Sequence, residues 1–246
     1  MKIILLRHGE SQWNLENRFT GWTDVELTEK GVKEAESAAK KLIENNIQIH
    51  TINTSLLRRA INTAKIICNL LSFPQNEIKY NWRLNERHYG ALQGLNKAET
   101  AKKYGEKKVK IWRRSFDTPP PKIKDKEHGY PKNSELFNII DIKDIPTGES
   151  LKDVIFRLTP FWKKYIANID KESNHLIVAH SNSLRAIIKI IEGINDINII
   201  DINIPTGEPL VYDLSKNLSV ISKSYLIDNE DILKKQKLIE EQGKIK

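Results

Sequence analysis

The sequence predicts an α/β sandwich of three layers, a mainly parallel sheet flanked by helices, forming a single domain over residues 1–246. Three observations carry this expectation. Short apolar runs alternate with longer stretches whose apolar residues recur at helical spacing. The first run, Lys2 to Leu6, is almost continuously apolar, as in a strand covered on both faces. No internal repeat and no linker divides the 246 residues, and a chain of that length can bury one large core.

The elements follow in order. After the first strand, Thr28 to Asn46 carries Val32, Ala35, Ala39, Leu42 and Ile43 on one stripe, with Thr28 placed as a helix N-cap. Ile49 to Thr54 reads as a strand. Ser55 to Ser72 reads as a helix, with Leu56, Ala60, Ala64, Ile67 and Leu71 on its apolar face. Glu77 to Leu84 is a further strand candidate and Ala98 to Arg114 a basic helix with an apolar edge. Residues 117–149 lose periodicity, opening on Pro119-Pro120-Pro121 and passing Gly129, and read as a long surface excursion. A helix resumes at Leu151, and Pro160 should delay its start or kink it. His175 to Ala179 is strand-like. Ser183 to Glu192 is a helix with Gly193 at its C-cap. Leu210–Leu214 and Ser219–Leu226 read as late strands, and 228–246 as a charged tail.

Composition narrows the class. The chain is too apolar, at 39% hydrophobic residues, for disorder, and too charged, at 29%, for a membrane protein. No run approaches a membrane-spanning helix, and the N-terminus is charged too early for a signal peptide. The single cysteine, Cys68, excludes an internal disulfide and disfavours a thiolate zinc site. A reduced, cytoplasmic protein is expected, without a membrane or nucleic-acid partner. The 40 Lys and Arg against 32 Asp and Glu leave a net charge of +8, which favours anionic ligands, although most surface lysines are simply solvated.

Two histidines stand where chemistry is expected in an open α/β sheet, beyond the carboxyl ends of strands. His8 follows the first strand and His180 follows His175–Ala179, just before a helix start whose free N–H groups suit a phosphate. Arg7 adjoins His8, and Arg185 lies one turn into the helix after His180. A lone histidine is usually a surface or hydrogen-bonded core residue, and His50, His128 and His175 take that reading. Histidines at two strand ends, one beside an arginine, favour a phosphoryl cradle instead. There is no H-E-x-x-H, no cysteine cluster, no phosphate-binding G-x-x-x-x-G-K-[ST] and no G-x-G-x-x-G, so metal and nucleotide readings are weakly supported.

Leu6-Arg7-His8-Gly9-Glu10-Ser11 resembles the signature of the histidine phosphatase superfamily. The blocks Trp13–Trp22, Leu27–Gly31, Trp82–Lys97, Trp112–Ser115, Asn182–Ala186, Asn203–Gly207 and Pro209–Tyr212 resemble, in order, those of the cofactor-dependent phosphoglycerate mutases. The match runs from residue 3 to about 226, leaving the 122–148 stretch and the tail unmatched. This resemblance implies a phosphoglycerate mutase-like fold and the interconversion of 2- and 3-phosphoglycerate, primed by 2,3-bisphosphoglycerate, with no metal. It also implies a homo-oligomer, a dimer or tetramer, acting on phosphoglycerates.

Carried over residue by residue, the resemblance makes His8 the nucleophile that becomes phosphohistidine. Glu86 would exchange the proton of the substrate hydroxyl. Arg7, Arg59 and His180 would surround the transferred phosphoryl oxygens. Ser11, Asn14, Thr20, Gly21, Tyr89, Lys97, Arg113, Arg114, Ser181 and Asn182 would bind substrate, together with Arg7, Arg59 and Glu86. Trp13, Trp22, Trp82 and Trp112 are read as packing. Two positions depart from the family pattern: His180-Ser181-Asn182 stands where His-Gly-Asn is usual, and Gly148-Glu149 where Thr-Glu is frequent. Ser181 is expected at negative φ as the N-cap of the following helix. Three alternatives stay open: a bisphosphoglycerate synthase/phosphatase, a broad phosphatase, and a non-catalytic binder using the positive charge.

Overall fold

A computed structural model describes residues 1–124 and 135–242. Its centre is strand β1 (Lys2–Arg7), where successive side chains divide between two cores. Ile3 and Leu5 join one apolar cluster, Ile4 and Leu6 the other, which is why the run is apolar without alternation. β2 (Thr51–Thr54), β3 (Lys79–Tyr80), β4 (His175–Ala179), β5 (Leu210–Leu214) and β6 (Val220–Tyr225) complete a six-stranded sheet in the order β3-β2-β4-β1-β5-β6. Pairings β3–β2, β2–β4 and β4–β1 are parallel, whereas β5 and β6 are added antiparallel.

Helices cover both faces. After a short turn of helix, α1 (Gln12–Leu15), come α2 (Glu29–Glu44) and α3 (Arg58–Leu71), whose Ala38, Ala39, Leu42, Ala60, Ala64 and Ile67 pack on one side of the sheet. Thr28 caps α2 as expected, its hydroxyl accepting from the Gly31 N–H at 3.0 Å. α4 (Lys97–Tyr104) and α5 (Glu106–Arg114) lie beyond the sheet, on a small cluster of their own with Phe19 and Leu92. On the other face, α6 (Leu151–Ala167) and α7 (Ser181–Glu192) bury Val154, Leu158, Leu184 and Ile187. α8 (Asn229–Glu241) follows the sheet.

Several expectations are corrected. The predicted 98–114 helix is two helices, because Gly105 turns the chain at φ +87 between them. The 77–84 strand shrinks to two residues: the Asn81 side chain accepts from Arg83 N and starts a 3₁₀ turn over Trp82–Leu84. α6 begins at Leu151, capped by Ser150, and continues past the exposed Pro160, so the proline does not delay its start. The charged tail is mostly helix, folded back with Ile232 buried. Of the expected surface excursion, Gly129 and the rest of 125–134 lie outside the described residues, but Phe137 and Ile140 are buried against Trp22, Leu56 and Leu57.

The loop leaving β1 is packed closely against the main chain of α2. A Cβ on Gly9 would lie 2.1 Å from the Gly31 oxygen, and one on Gly31 2.1 Å from the Glu10 oxygen. Gly9 N also donates to Thr63 Oγ1 of α3 at 3.1 Å. Alanine in place of Gly31 would gain up to about 1 kcal/mol of helix propensity, but a backbone oxygen in a packed loop cannot step aside. We expect Gly31→Ala to destabilise the fold by about 1–3 kcal/mol, read as a lower urea midpoint at unchanged slope. An unchanged midpoint would refute the close-packing account.

Candidate active site

The parallel register Arg7↔Ala179 brings the carboxyl ends of β1 and β4 level, so the next residues, His8 and His180, stand side by side. His8 N donates to Ala179 O at 3.0 Å, and the two rings meet edge to face with centroids 4.9 Å apart. His8 Nδ1 lies 2.7 Å from Gly9 O. A carbonyl can only accept, so the proton sits on Nδ1 and Nε2 keeps its lone pair. Arg59 Nε approaches that Nε2 at 3.3 Å, while its other nitrogens donate to Thr23 O at 2.9 Å and Gly21 O at 2.8 Å. On the other histidine, Nε2 is bonded to Ser55 Oγ at 2.8 Å, leaving Nδ1 buried without a protein partner. Arg7 is anchored through Ile204 O at 2.9 Å.

Burial holds both imidazoles neutral. It pushes the His8 pKa well below the usual histidine value, and the guanidiniums of Arg59 and then Arg7 push it further. His180 is lowered in the same way, first by burial and then by Arg59, His8 and Arg7. A neutral ring with its proton pinned away from the cavity is a competent nucleophile at neutral pH.

The cavity in front of His8 is strongly cationic. Arg7, Arg18, Arg59, Lys97, Arg113, Arg114 and Arg185 line it, against one carboxylate among the described residues, that of Glu86. Asn14, Thr20, Gly21, Tyr89, Ser181 and Asn182 complete its polar wall, with Ile239 and Gln242 of the C-terminal segment. Glu86 is buried, and its Oε1 accepts from Arg87 N at 2.7 Å and Asn182 N at 3.1 Å, the latter in the first turn of α7. The Asn182 amide donates to Tyr89 OH at 3.3 Å and accepts from Arg185 at 3.0 Å. Burial lowers the Lys97 pKa well below the usual lysine value, with Arg113, Arg7 and Arg114 adding to it. Arg113 is brought to about 10 by burial and by Arg114. Such crowded, desolvated cations favour an anion between them. Here Lys97 donates to the Gln242 side chain at 3.3 Å, and Arg113 donates to the Gln242 main-chain oxygen.

Most of the expected site residues therefore converge. His180 sits directly beside His8, behind the lining. Ser11 is buried with its hydroxyl turned to Asn14 Oδ1 at 2.9 Å, so it orients Asn14 and does not face the cavity. Ser181 has helical backbone, as the expected negative φ requires, but the N-cap is His180, whose N–H donates to Ser183 Oγ at 3.1 Å. Arg18 was not singled out from the sequence, although it lies inside a matched block and stacks on Trp13. Gln242 and Ile239 carried no sequence signal at all. Among the described residues, no three His, Cys, Asp or Glu side chains converge as a metal site, and no helix is long and apolar enough to cross a membrane.

The histidine phosphatase superfamily (branch 1) model matches residues 3–223. The chain belongs to the histidine phosphatase superfamily. As a member, it is an enzyme with phosphoryl-transfer chemistry. Solved structures show the same fold. A mycobacterial glucosyl-3-phosphoglycerate phosphatase complexed with VO3 is 24% identical, at TM-score 0.68, over 86% of this chain and 92% of that one. A protein described as mycobacterial hydrolase 1 is 23% identical, at TM-score 0.70, over 93% of this chain and 97% of its own. A putative α-ribazole-5′-phosphate phosphatase from Escherichia coli K-12 is 19% identical, at TM-score 0.67, over 93% and 96%.

The buried histidines give a signed pH dependence. His8, His180 and His88, the last held at about 3 by burial and Arg157, stay neutral when folded. Unfolded, each takes up a proton below its ordinary value of about 6.5, so the unfolded state binds more protons there and stability rises with pH. We expect each to cost about 1 kcal/mol on going from about pH 7.5 to about pH 5.5, seen as a falling urea midpoint. Nitrogen NMR should meanwhile show folded His8 as an unchanged neutral Nδ1–H ring. A His8 titration near its ordinary value would overturn the assignment.

Proposed function

We propose that this superfamily member interconverts 2- and 3-phosphoglycerate through phosphorylated His8. The observation that supports this most is the second set of cations. Arg7 and Arg59 suffice to surround a phosphoryl group on His8, yet Lys97, Arg113 and Arg114 also line the cavity. That surplus suits a small phosphate ester bearing another anion, a carboxylate or a second phosphate. It also fits the residues to 2,3-bisphosphoglycerate, which when bound would supply the priming phosphoryl group.

In the proposed cycle, phosphorylated His8 passes its phosphoryl group to the free hydroxyl of 3-phosphoglycerate, which loses its proton to the Glu86 carboxylate as the N–P bond breaks. His8 Nε2 then attacks the other phosphorus of the resulting bisphosphoglycerate in line as its P–O ester bond breaks. Glu86 gives its proton to the departing substrate oxygen, while Arg7 and Arg59 hold the equatorial oxygens, with the buried His180 beside His8. 2-Phosphoglycerate leaves, and Glu86, again a carboxylate, takes the proton of the next 3-phosphoglycerate hydroxyl as that hydroxyl attacks the re-phosphorylated His8. Admission of water in place of that hydroxyl would give a phosphatase, the activity named for two of the similar structures.

The deciding assay follows 3-phosphoglycerate with and without 2,3-bisphosphoglycerate, in the presence of a chelator. We expect 2-phosphoglycerate to form, faster when primed, with little free phosphate. Stoichiometric phosphate release without isomerisation would make the protein a phosphatase. His8→Ala should abolish both turnover and acid-labile phosphorylation of the chain; labelled phosphate retained at the wild-type level would reject His8 as nucleophile. Glu86→Gln should lower kcat by about 10²–10⁴-fold with a smaller change in KM, and equal rates would place proton transfer on another group.

A further inference from the structure

Behind Glu86 lies a buried ion pair whose two residues do not themselves line the cavity. Arg157 Nε donates to Glu149 Oε1 at 2.6 Å, and its NH2 reaches Glu149 Oε2 at 3.2 Å. The rest of the guanidinium is spent on carbonyls of the segment carrying Glu86: Arg83 O at 2.6 Å, Asn85 O at 2.9 Å and Glu86 O at 3.0 Å. Glu149 Oε2 accepts from His88 N at 2.7 Å, and Glu149 N donates to His88 O at 2.8 Å. Trp22 Nε1 also donates to Glu86 O, at 2.5 Å, and the Arg157 guanidinium lies over the Trp22 ring at 5.7 Å. Residues 83–88 form no long element, with only a 3₁₀ turn at Trp82–Leu84. Their main chain is therefore fixed from α6 and from the residue just before its cap.

A buried ion pair is a poor source of net stability compared with apolar packing. What this one provides is direction, with fork-shaped donors and a two-oxygen acceptor clasping one short segment on both sides of Glu86. We propose that Glu149 and Arg157 are positioning residues for proton transfer, setting where the Glu86 carboxyl stands relative to the departing oxygen. This rests on the reading of Glu86 as the proton donor.

The test compares phosphorylation of His8 by two donors. From 2,3-bisphosphoglycerate, the His8 N–P bond forms as the P–O bond breaks, and the alkoxide oxygen leaving with the electron pair needs a proton. From acetyl phosphate the same bonds form and break, but acetate leaves as a stable anion and needs none. Acid-labile phosphohistidine is measured in a single turnover for wild type, Glu149→Gln, Arg157→Lys and Glu86→Gln. We expect both positioning variants to slow phosphorylation from 2,3-bisphosphoglycerate by about 10–100-fold and from acetyl phosphate by less than about threefold. Should Glu149→Gln not fold, Arg157→Lys, which keeps the buried charges balanced, carries the test. If Glu86→Gln discriminates between the donors but folded Arg157→Lys slows both equally, the positioning role is refuted while the reading of Glu86 stands. If Glu86→Gln does not discriminate, Glu86 is not the proton donor and the positioning proposal falls with it.

Discussion

Everything at this site depends on the parallel pairing of β1 with β4. Side chains on a strand alternate with a period of two, so a slip of one residue would exchange the two cores and turn Ile3 and Leu5 into the space of Ile4 and Leu6. The apolar packing on both faces makes that slip costly. The same register leaves His8 and His180 at the same height, just past the last paired residues. The energy that fixes the placement of these two histidines is thus mostly hydrophobic and comes from packing several residues away.

Electrostatics takes over where the sheet ends. Removal of water raises the worth of each charge toward a bound anion, and it also forces imidazoles to stay neutral. Fixed guanidinium groups can then play the part that solvent or a cation would otherwise play for a phosphoryl group in flight. Arg59 shows how rigid this is, because two carbonyls from the 21–23 loop hold its far nitrogens while its Nε faces His8. Little reorganisation is left to occur during transfer.

How legible this was in the sequence varied with the physics involved. Period and burial gave β1, β4, α2 and α7, since an apolar run or stripe is a local record of packing. His8 and His180 could be ranked above the other histidines because they follow such runs. Periodicity could not find Glu86, Lys97 or Arg114, which sit on short, irregular or solvent-like segments; only the resemblance in the blocks around them marked those positions. Gly105 was hidden inside a helical pattern, and Asn81 inside a strand pattern, each a local conformational preference that outweighed the apolar spacing. Gln242 was invisible for another reason. Its position over Lys97 and Arg113 follows from how α8 folds back, a long-range event that a charged, weakly patterned tail does not announce.

The anchoring of the cationic wall has its own consequence. His8 and His180 hang from the central strands, whereas Lys97, Arg113 and Arg114 belong to α4 and α5, which rest on a separate small cluster around Phe19 and Leu92. The molecule therefore divides into a reactor and a removable faceplate. Under the function proposed above, α4 and α5 could be reshaped for a bulkier or less charged alcohol while the two apolar clusters on either side of β1, and His8 with them, keep their packing. Seen that way, a diversity of substrates on one sheet is a property of the architecture before it is a product of selection.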